Sequence, residues 1–275
     1  MRRGSSRGRH DLHLHTSRSD GCLEPEELLV RCARQGLDVV AMTDHDLASP
    51  LEGGTYTVQG RTIRLLEGAE VSGVHGGREF HLLVYFPEGA PDDFRAFCRT
   101  RCQERATRYA AGRAAVGLPG VPDPDLEACR GERALTRLHL AQALVEAGHA
   151  ASVTEAFARF TGDAHGTVPR VTLPFVDAIR IAREAGGVTS WAHPPLRALR
   201  SHLGEFADAG LHGIEAIRPG LARREAREAR ALAARHGLVL TGGSDWHGWS
   251  DPELGLFTVD GDALDGFHDA LFHAA

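Results

Sequence analysis

Short apolar runs recur along the chain at residues 12–15, 37–43, 63–71, 80–86, 188–192, 214–217, 238–241 and 256–259, with helical patterns between most of them. Runs of this length read as strands, and their alternation with helices predicts repeated βα units around a mostly parallel sheet. The punctuation agrees. Pro25 followed by Glu26 and Glu27 opens a helix that Gly36 closes, since proline suits a first turn and acids suit the positive end of the helix dipole. Residues 178–185 form another helix, ended by Gly186 and Gly187, before the run at 188–192. Residues 223–235 alternate charges at helical spacing and read as a solvated outer helix. Residues 91–169 break the rhythm with arginine-rich helical patterns around a loop at 117–124, and read as an inserted helical cap.

At 275 residues the chain has room for one large α/β barrel or two small domains. A hydrophobic share of 42% and a charged share of 25% describe an ordinary globule, with no apolar run of membrane-spanning length. The basic stretch at residues 1–9 lacks the apolar core of a secretory signal, so a cytoplasmic location is expected. Five cysteines without a Cys-x-x-Cys pair argue against a disulfide framework or a thiolate zinc site; Cys98 and Cys102 share a helix face and read as packing. All 31 basic residues are arginine, which excludes a Schiff-base lysine, a phosphate-loop lysine and a lysine carbamate between two metals. The net charge of −6 argues against stable binding of duplex nucleic acid, while a local arginine cluster can still hold a phosphate end.

The 16 histidines are the excess that needs a reason. Asp11-Leu-His-Leu-His15 and Ser244-Asp-Trp-His247 each set two metal-binding side chains two residues apart, which in a strand points both to one side. Taking what sits at each predicted strand end gives His13, His15, Asp20, His45, Glu70, His81, His193, Asp245 and His247. In a parallel barrel such positions converge on the C-terminal face, where barrel enzymes build their sites. Nine imidazoles and carboxylates suit two or three divalent ions, and the absence of thiolate ligands fits Mn, Fe or Zn. The other histidines, His75 and His202 among them, fall outside this set and read mostly as surface residues.

These motifs resemble the PHP (polymerase and histidinol phosphatase) family, most closely its nucleotide-phosphatase and RNase (TrpH-like) branch. The resemblance rests on residues 11–21, 43–46, 68–72, 81–83, 191–194 and 243–248, in the family's order across nearly the whole chain. It implies a distorted (β/α)7 TIM-like barrel, built here from residues 1–90 and 170–275, with residues 91–169 as the inserted helical cap. It also implies a trinuclear centre: one metal on His13, His15, Glu70 and Asp245, a second on Glu70, His81 and His193, a third on Asp20, His45 and His247. One departure is residues 53–61, which read as a hairpin where similar proteins carry a helix.

A cluster of this kind lowers the pKa of bound water and holds phosphate oxygens, so that hydroxide attacks phosphorus in line with the leaving oxygen. Thr136-Arg-Leu-His139 resembles the branch's Arg-x-His segment, which makes Arg137 a candidate phosphate clamp and His139 a candidate phosphate ligand or leaving-group acid. The expected substrate is a small phosphorylated nucleotide or short oligonucleotide, first a 3′,5′-nucleoside bisphosphate cut to nucleoside monophosphate and phosphate. The alternatives are a 5′–3′ exoribonuclease on short RNA or RNA 5′ ends, a histidinol-phosphate phosphatase, and a noncatalytic metal-binding regulatory protein. A lysine-carbamate amidohydrolase is excluded by the missing lysine.

Overall fold

The computed structural model describes residues 8–122, 129, 131–249 and 251–273. Most of the basic N-terminal stretch and the last two residues of the 117–124 loop lie outside the described residues. The strands are β1 (Arg9–Leu14), β2 (Val39–Met42), β3 (Gly54–Val58), β4 (Arg61–His75), β5 (Arg78–Phe86), β6 (Val188–Trp191), β7 (Gly213–Ile217), β8 (Val239–Gly242) and β9 (Val259–Asp260). They form one sheet in the order β8-β7-β6-β5-β4-β2-β1-β9, with β3 paired to the start of β4. Beyond β8 the chain turns back on β1: Asp245 N donates to His13 O at 3.0 Å and His15 N to Trp246 O at 3.0 Å. The sheet is thereby curled into a nearly closed barrel. The mixed α/β barrel expected from the motifs is what the chain forms.

Two features depart from a regular parallel barrel. β5 runs antiparallel to both β4 and β6, because β4 and β5 are joined by a tight hairpin rather than a crossover helix. The last apolar run supplies only the two residues of β9, paired antiparallel at the edge of β1. The expected hairpin is present: Gln59 and Gly60, both in the left-handed region, make the two-residue turn from β3 into β4.

The helices follow their sequence signals. α1 (Pro25–Arg34) starts with proline and two acids and ends with Arg31 and Arg34 in its last turn. α2 (Asp92–Val116), α3 (Arg137–Glu146) and the single turn α4 (Val153–Ala156) lie in the inserted stretch, followed by α5 (Phe175–Glu184), α6 (Leu196–Asp208), α7 (Arg223–Arg235) and α8 (Asp265–His273). α7 buries only Ala229 and Ala233, as its charge pattern requires.

Three apolar clusters hold the barrel. Phe80, Phe175, Trp191 and Phe206 pack between β5, β6, α5 and α6, with ring centroids 4.8–6.4 Å apart. Each such ring contributes on the order of 2–3 kcal/mol by burial. Leu28 of α1 packs with Leu37 and Met42. Leu12, Ala41, Leu83 and Tyr85 fill the interior below the strand ends, stopped by Phe267 and Leu271 of α8. The inserted helices carry a cluster of their own around Tyr109, Leu140, Leu144 and Ala156.

α2 ties this inserted stretch to the barrel along its length. Arg95 pairs with Glu67, Arg105 donates to Asp46 Oδ2 at 2.5 Å and to Ser72 Oγ at 2.7 Å, and Arg108 meets Glu79 at 3.1 Å. All five cysteines are free thiols, Cys98 and Cys102 buried in the packing of α2. Among the described residues no helix is long and apolar enough to cross a membrane.

Candidate metal centre

All nine expected residues come together at one end of the barrel. His13 near the end of β1 and His15 just past it are fully buried, while Glu70 stands near the centre of β4, also fully buried. His81 lies near the start of β5, not past its end. It reaches the same site because β5 is reversed. Glu70 Oε1 lies 3.4 Å from His13 Nε2 and 3.0 Å from both His81 Nδ1 and His193 Nε2; its Oε2 lies 2.8 Å from His45 Nδ1. Asp245 Oδ1 stands 3.2 Å from Nε2 of both His13 and His15. Asp20 Oδ1 lies 3.3 Å from His247 Nε2 and 3.5 Å from His15 Nδ1.

Many of these close approaches are not hydrogen bonds. Asp20 Oδ1, His45 Nδ1, Glu70 Oε2 and His81 Nδ1 are buried without a hydrogen-bond partner, although His45 Nδ1 and Glu70 Oε2 are 2.8 Å apart. Lone pairs aimed at shared points rather than at each other are what metal ligands require, and four overlapping groups have ligand atoms within 4.8 Å of one another. The donor set therefore fits divalent cations. The groups join His15 to Asp20, His45 and His247, and His45 to Glu70 and His81, so His15 and His45 stand closer to a neighbouring group than the simple three-way partition assumes.

A second ring of carboxylates fixes the ligands. Glu215 on β7 accepts from His13 Nδ1 at 2.9 Å and from the His193 amide at 2.8 Å, leaving His13 Nε2 to face the centre. His247 Nδ1 donates to Asp245 O at 2.8 Å, which likewise frees its Nε2. Asp44 accepts from Thr16 N at 2.8 Å, Thr16 Oγ1 at 2.7 Å and Ser19 Oγ at 2.5 Å, pinning the loop that carries Asp20. The backbone is strained at the same place. Besides the turn residue Gln59, the described non-glycine residues with positive φ are Asp46, His193 and Asp245, each a ligand or beside one. Gly243 admits no side chain, since a Cβ there would lie 2.4 Å from that of His13.

Charge explains the protonation of the centre. Burial opposes ionisation of Glu70, yet the His81, His45 and His13 imidazoles hold its carboxyl well below the ordinary range. Burial also disfavours charged imidazole, but Glu70 and Glu79 raise His81 to about 10, and Asp20 with Asp245 raises His247 to about 9. His15 goes the other way, to about 4, through burial and the neighbouring His247. Asp245, Glu215 and Glu70 likewise hold His13 well above its ordinary value against burial, so without metal, protons on His13, His81 and His247 balance the carboxylates. Raised folded pKa values stabilise the metal-free fold below about 6.5, and this contribution is lost as pH rises towards 9–10. Metal uptake at pH 7 should displace roughly three protons per chain, one from each of these imidazoles. Titration calorimetry in buffers of different ionisation enthalpy measures this number, and a buffer-independent heat would contradict it.

This geometry has known counterparts. A model of the PHP domain matches residues 11–99. The 5′–3′ exoribonuclease Rnm of Salmonella typhimurium is 30% identical over 249 residues, covering 86% of this chain and 85% of that protein. The chain belongs to the PHP family. A 3′,5′-nucleoside bisphosphate phosphatase of Chromobacterium violaceum is also 30% identical, over 246 residues and 86% of each chain. A crystal structure from Bifidobacterium adolescentis, named as a metal-dependent phosphoesterase, superposes with a TM-score of 0.74 at 28% identity over 93% of this chain and 94% of that one. The enzyme class expected from the motifs, a metal-dependent phosphoesterase, is borne out.

In this PHP chain the candidate metal ligands Asp20, His45 and His81 line a cavity of about 140 Å³ together with Arg105, Arg108 and Arg137. Arg137 therefore lines the same cavity as three of the candidate metal ligands. His139 is not among the residues lining that cavity; its Nδ1 accepts from the Thr136 amide at 3.0 Å and closes the start of α3. Burial pushes His139 down to about 4, against the raising effect of Asp20 and with Arg133 and Arg105 adding to the fall. Among the residues that escaped the sequence reading are Glu215, Arg105, Arg108 and Trp249. Glu215 had a signal, a lone carboxylate inside an apolar strand; Trp249 had another, its place two residues after His247. The two arginines were hidden in an arginine-rich helix.

Proposed function

We propose that this chain removes a phosphate from a 3′,5′-nucleoside bisphosphate, giving a nucleoside monophosphate and inorganic phosphate. The observation that carries this reading is the cavity in which metal ligands face Arg105, Arg108 and Arg137. At about 140 Å³ it admits a phosphorylated sugar end and leaves the base at the rim. Trp249, 55% exposed, is held beside the cavity-lining Asp20 by its Nε1 donating to Asp20 O at 2.6 Å, and is the aromatic face that would meet that base.

The nine residues would hold two or three divalent ions, Mn, Fe or Zn, in the partition given by the family resemblance, with His15 and His45 close enough to be shared. Bound there, such ions supply an activated water and a counter-charge for phosphoryl oxygens. The chain's own groups do the rest. Arg137 binds the phosphate by a forked contact. Arg105 and Arg108, already paired with Asp46 and Glu79, place positive charge along the same wall. His139, kept neutral, positions α3 and with it Arg137 rather than donating a proton. Residues 91–169 act as a cap over a barrel of residues 1–90 and 170–275. Five free thiols suit a cytoplasmic setting, and the net charge of −6 suits a small substrate rather than duplex nucleic acid.

A second reading, 5′–3′ exonucleolytic cutting of short RNA, is favoured by a further concavity of about 390 Å³. His81 and His193 border it together with Arg78 and Arg170, so a strand could continue beyond the metals. The experiment is phosphate release by metal-analysed, Mn-supplemented protein from 3′,5′-bisphosphoadenosine, AMP, histidinol phosphate and a 5′-phosphorylated RNA oligomer, with RNA products resolved by length. Preference for the bisphosphate supports the first reading and stepwise mononucleotide release supports the second. Inactivity on all four with filled metal sites would overturn both. Arg137→Ala should lower kcat/KM by roughly 10–100-fold, mainly through KM; an unchanged kcat/KM would retire the clamp.

A further inference from the structure

Two histidines outside the centre meet on the flank of the barrel. His75 is the last residue of β4, at the tip of the β4–β5 hairpin, and His202 lies on α6. Their rings are 4.6 Å apart between centroids at an interplanar angle of 69°. Glu205, one helical turn on from His202 and therefore on the same face of α6, brings its Oε2 to 3.4 Å from His75 Nε2. One ligand atom from each of the three lies within 4.8 Å of the other two. Phe206 closes the inner side, 5.0 Å from the His75 ring and 5.9 Å from that of His202. The outer side is open, with the Glu205 side chain 54% exposed.

We propose that His75, His202 and Glu205 form a second cation site, separate from the catalytic centre, that takes zinc or a similar borderline divalent ion. Two imidazoles and one carboxylate are a three-ligand set for tetrahedral zinc, with solvent supplying the fourth ligand on the open side. Two nitrogens select zinc, nickel or copper over magnesium or calcium. The apolar floor formed by Phe206 keeps competing water from the inner side of the ion. No other cation balances Glu205 here among the described contacts, and its His75 partner is charged only when protonated.

The position gives the ion a mechanical role. β4 carries Glu70, β5 carries His81, and α6 follows His193 after Pro194 and Pro195. An ion between the hairpin tip and α6 therefore staples together, from outside, the elements that supply three catalytic-centre residues. Because it binds only the folded chain, it stabilises by mass action.

The test uses the full chain with its catalytic centre intact. Wild type, His202→Ala and Glu205→Gln are equilibrated against buffered free zinc and the zinc per chain is measured; Glu205 is exposed enough that its replacement does not threaten folding. Wild type should hold one equivalent more than His202→Ala, with Glu205→Gln needing about tenfold more free zinc to fill the site. Zinc should also raise the Tm of wild type by roughly 2–6 °C more than that of His202→Ala. Phosphoester hydrolysis by both variants should stay at the wild-type level, so the outcome is independent of the substrate reading. Equal zinc content and equal Tm shifts in wild type and both variants would overturn the site.

Discussion

Asp245→Asn is expected to fold like wild type and to lose hydrolysis by roughly 10³-fold or more in kcat/KM, about 4 kcal/mol of transition-state stabilisation. The side chain keeps its shape but loses the charge that faces His13 and His15 at 3.2 Å. That charge is secure in the native protein: burial opposes it, but His13 and His15 hold the carboxyl well below its ordinary range. Asparagine is the informative substitution because Asp245 has a φ of 56°, a region that asparagine tolerates and alanine resists. Asp245→Ala and His13→Ala should also abolish turnover, with Asp245→Ala paying about 1 kcal/mol of added backbone strain. Thermal melts with steady-state kinetics check this, and normal turnover in either Asp245 variant would remove the metal mechanism.

Glu215→Ala should act without touching a ligand-bearing position. It strands two donors, the buried His13 Nδ1–H and the part-buried His193 amide. We expect a loss of about 10–100-fold in metal affinity and about 2–4 kcal/mol of stability. Glu215→Gln should fall between the two, since an amide can accept one of these bonds only by presenting its NH2 to the other donor. Chelator-competition titrations and urea unfolding measure the two quantities separately. Wild-type values in both would leave Glu215 without a positioning role.

The candidate ligands were legible because they are chemically rare residues in or just past apolar strand-like runs, and because pairs such as His13 and His15 repeat the two-residue period of a strand. The ring behind them was not. Asp44 reads as one more loop carboxylate, and only the folded chain brings Thr16 and Ser19 to it across the barrel. Strand direction was equally hidden: an apolar run such as residues 80–86 has the same period read either way. The glycines at 76 and 77 were the available signal for a tight hairpin, since both take positive φ between His75 and Arg78. His139 shows how a local motif can serve two masters, because a residue three positions into a helix can turn back to its cap as readily as outward to a substrate.

The reversal of β5 also decides how the chain reaches its substrate. Phe86 leaves the sheet at the end away from the candidate metal ligands, so the helix that follows must travel the height of the barrel to bring its arginines to the cavity beside them. α2 makes that journey as a single rod of 25 residues, about 37 Å long. Its arginines touch down in order, Arg95 at Glu67, Arg105 at Asp46 and Ser72, Arg108 at Glu79. The rod works as a ruler. One residue more or less between Arg95 and Arg105 turns everything beyond it by about 100° and shifts it by about 1.5 Å. Such a change would take Arg105 and Arg108 off the cavity wall while leaving all nine ligands in place. The nine candidate ligands sit at one end of the barrel while Arg105 and Arg108 are placed by the length of one helix, so the two sets can be altered independently.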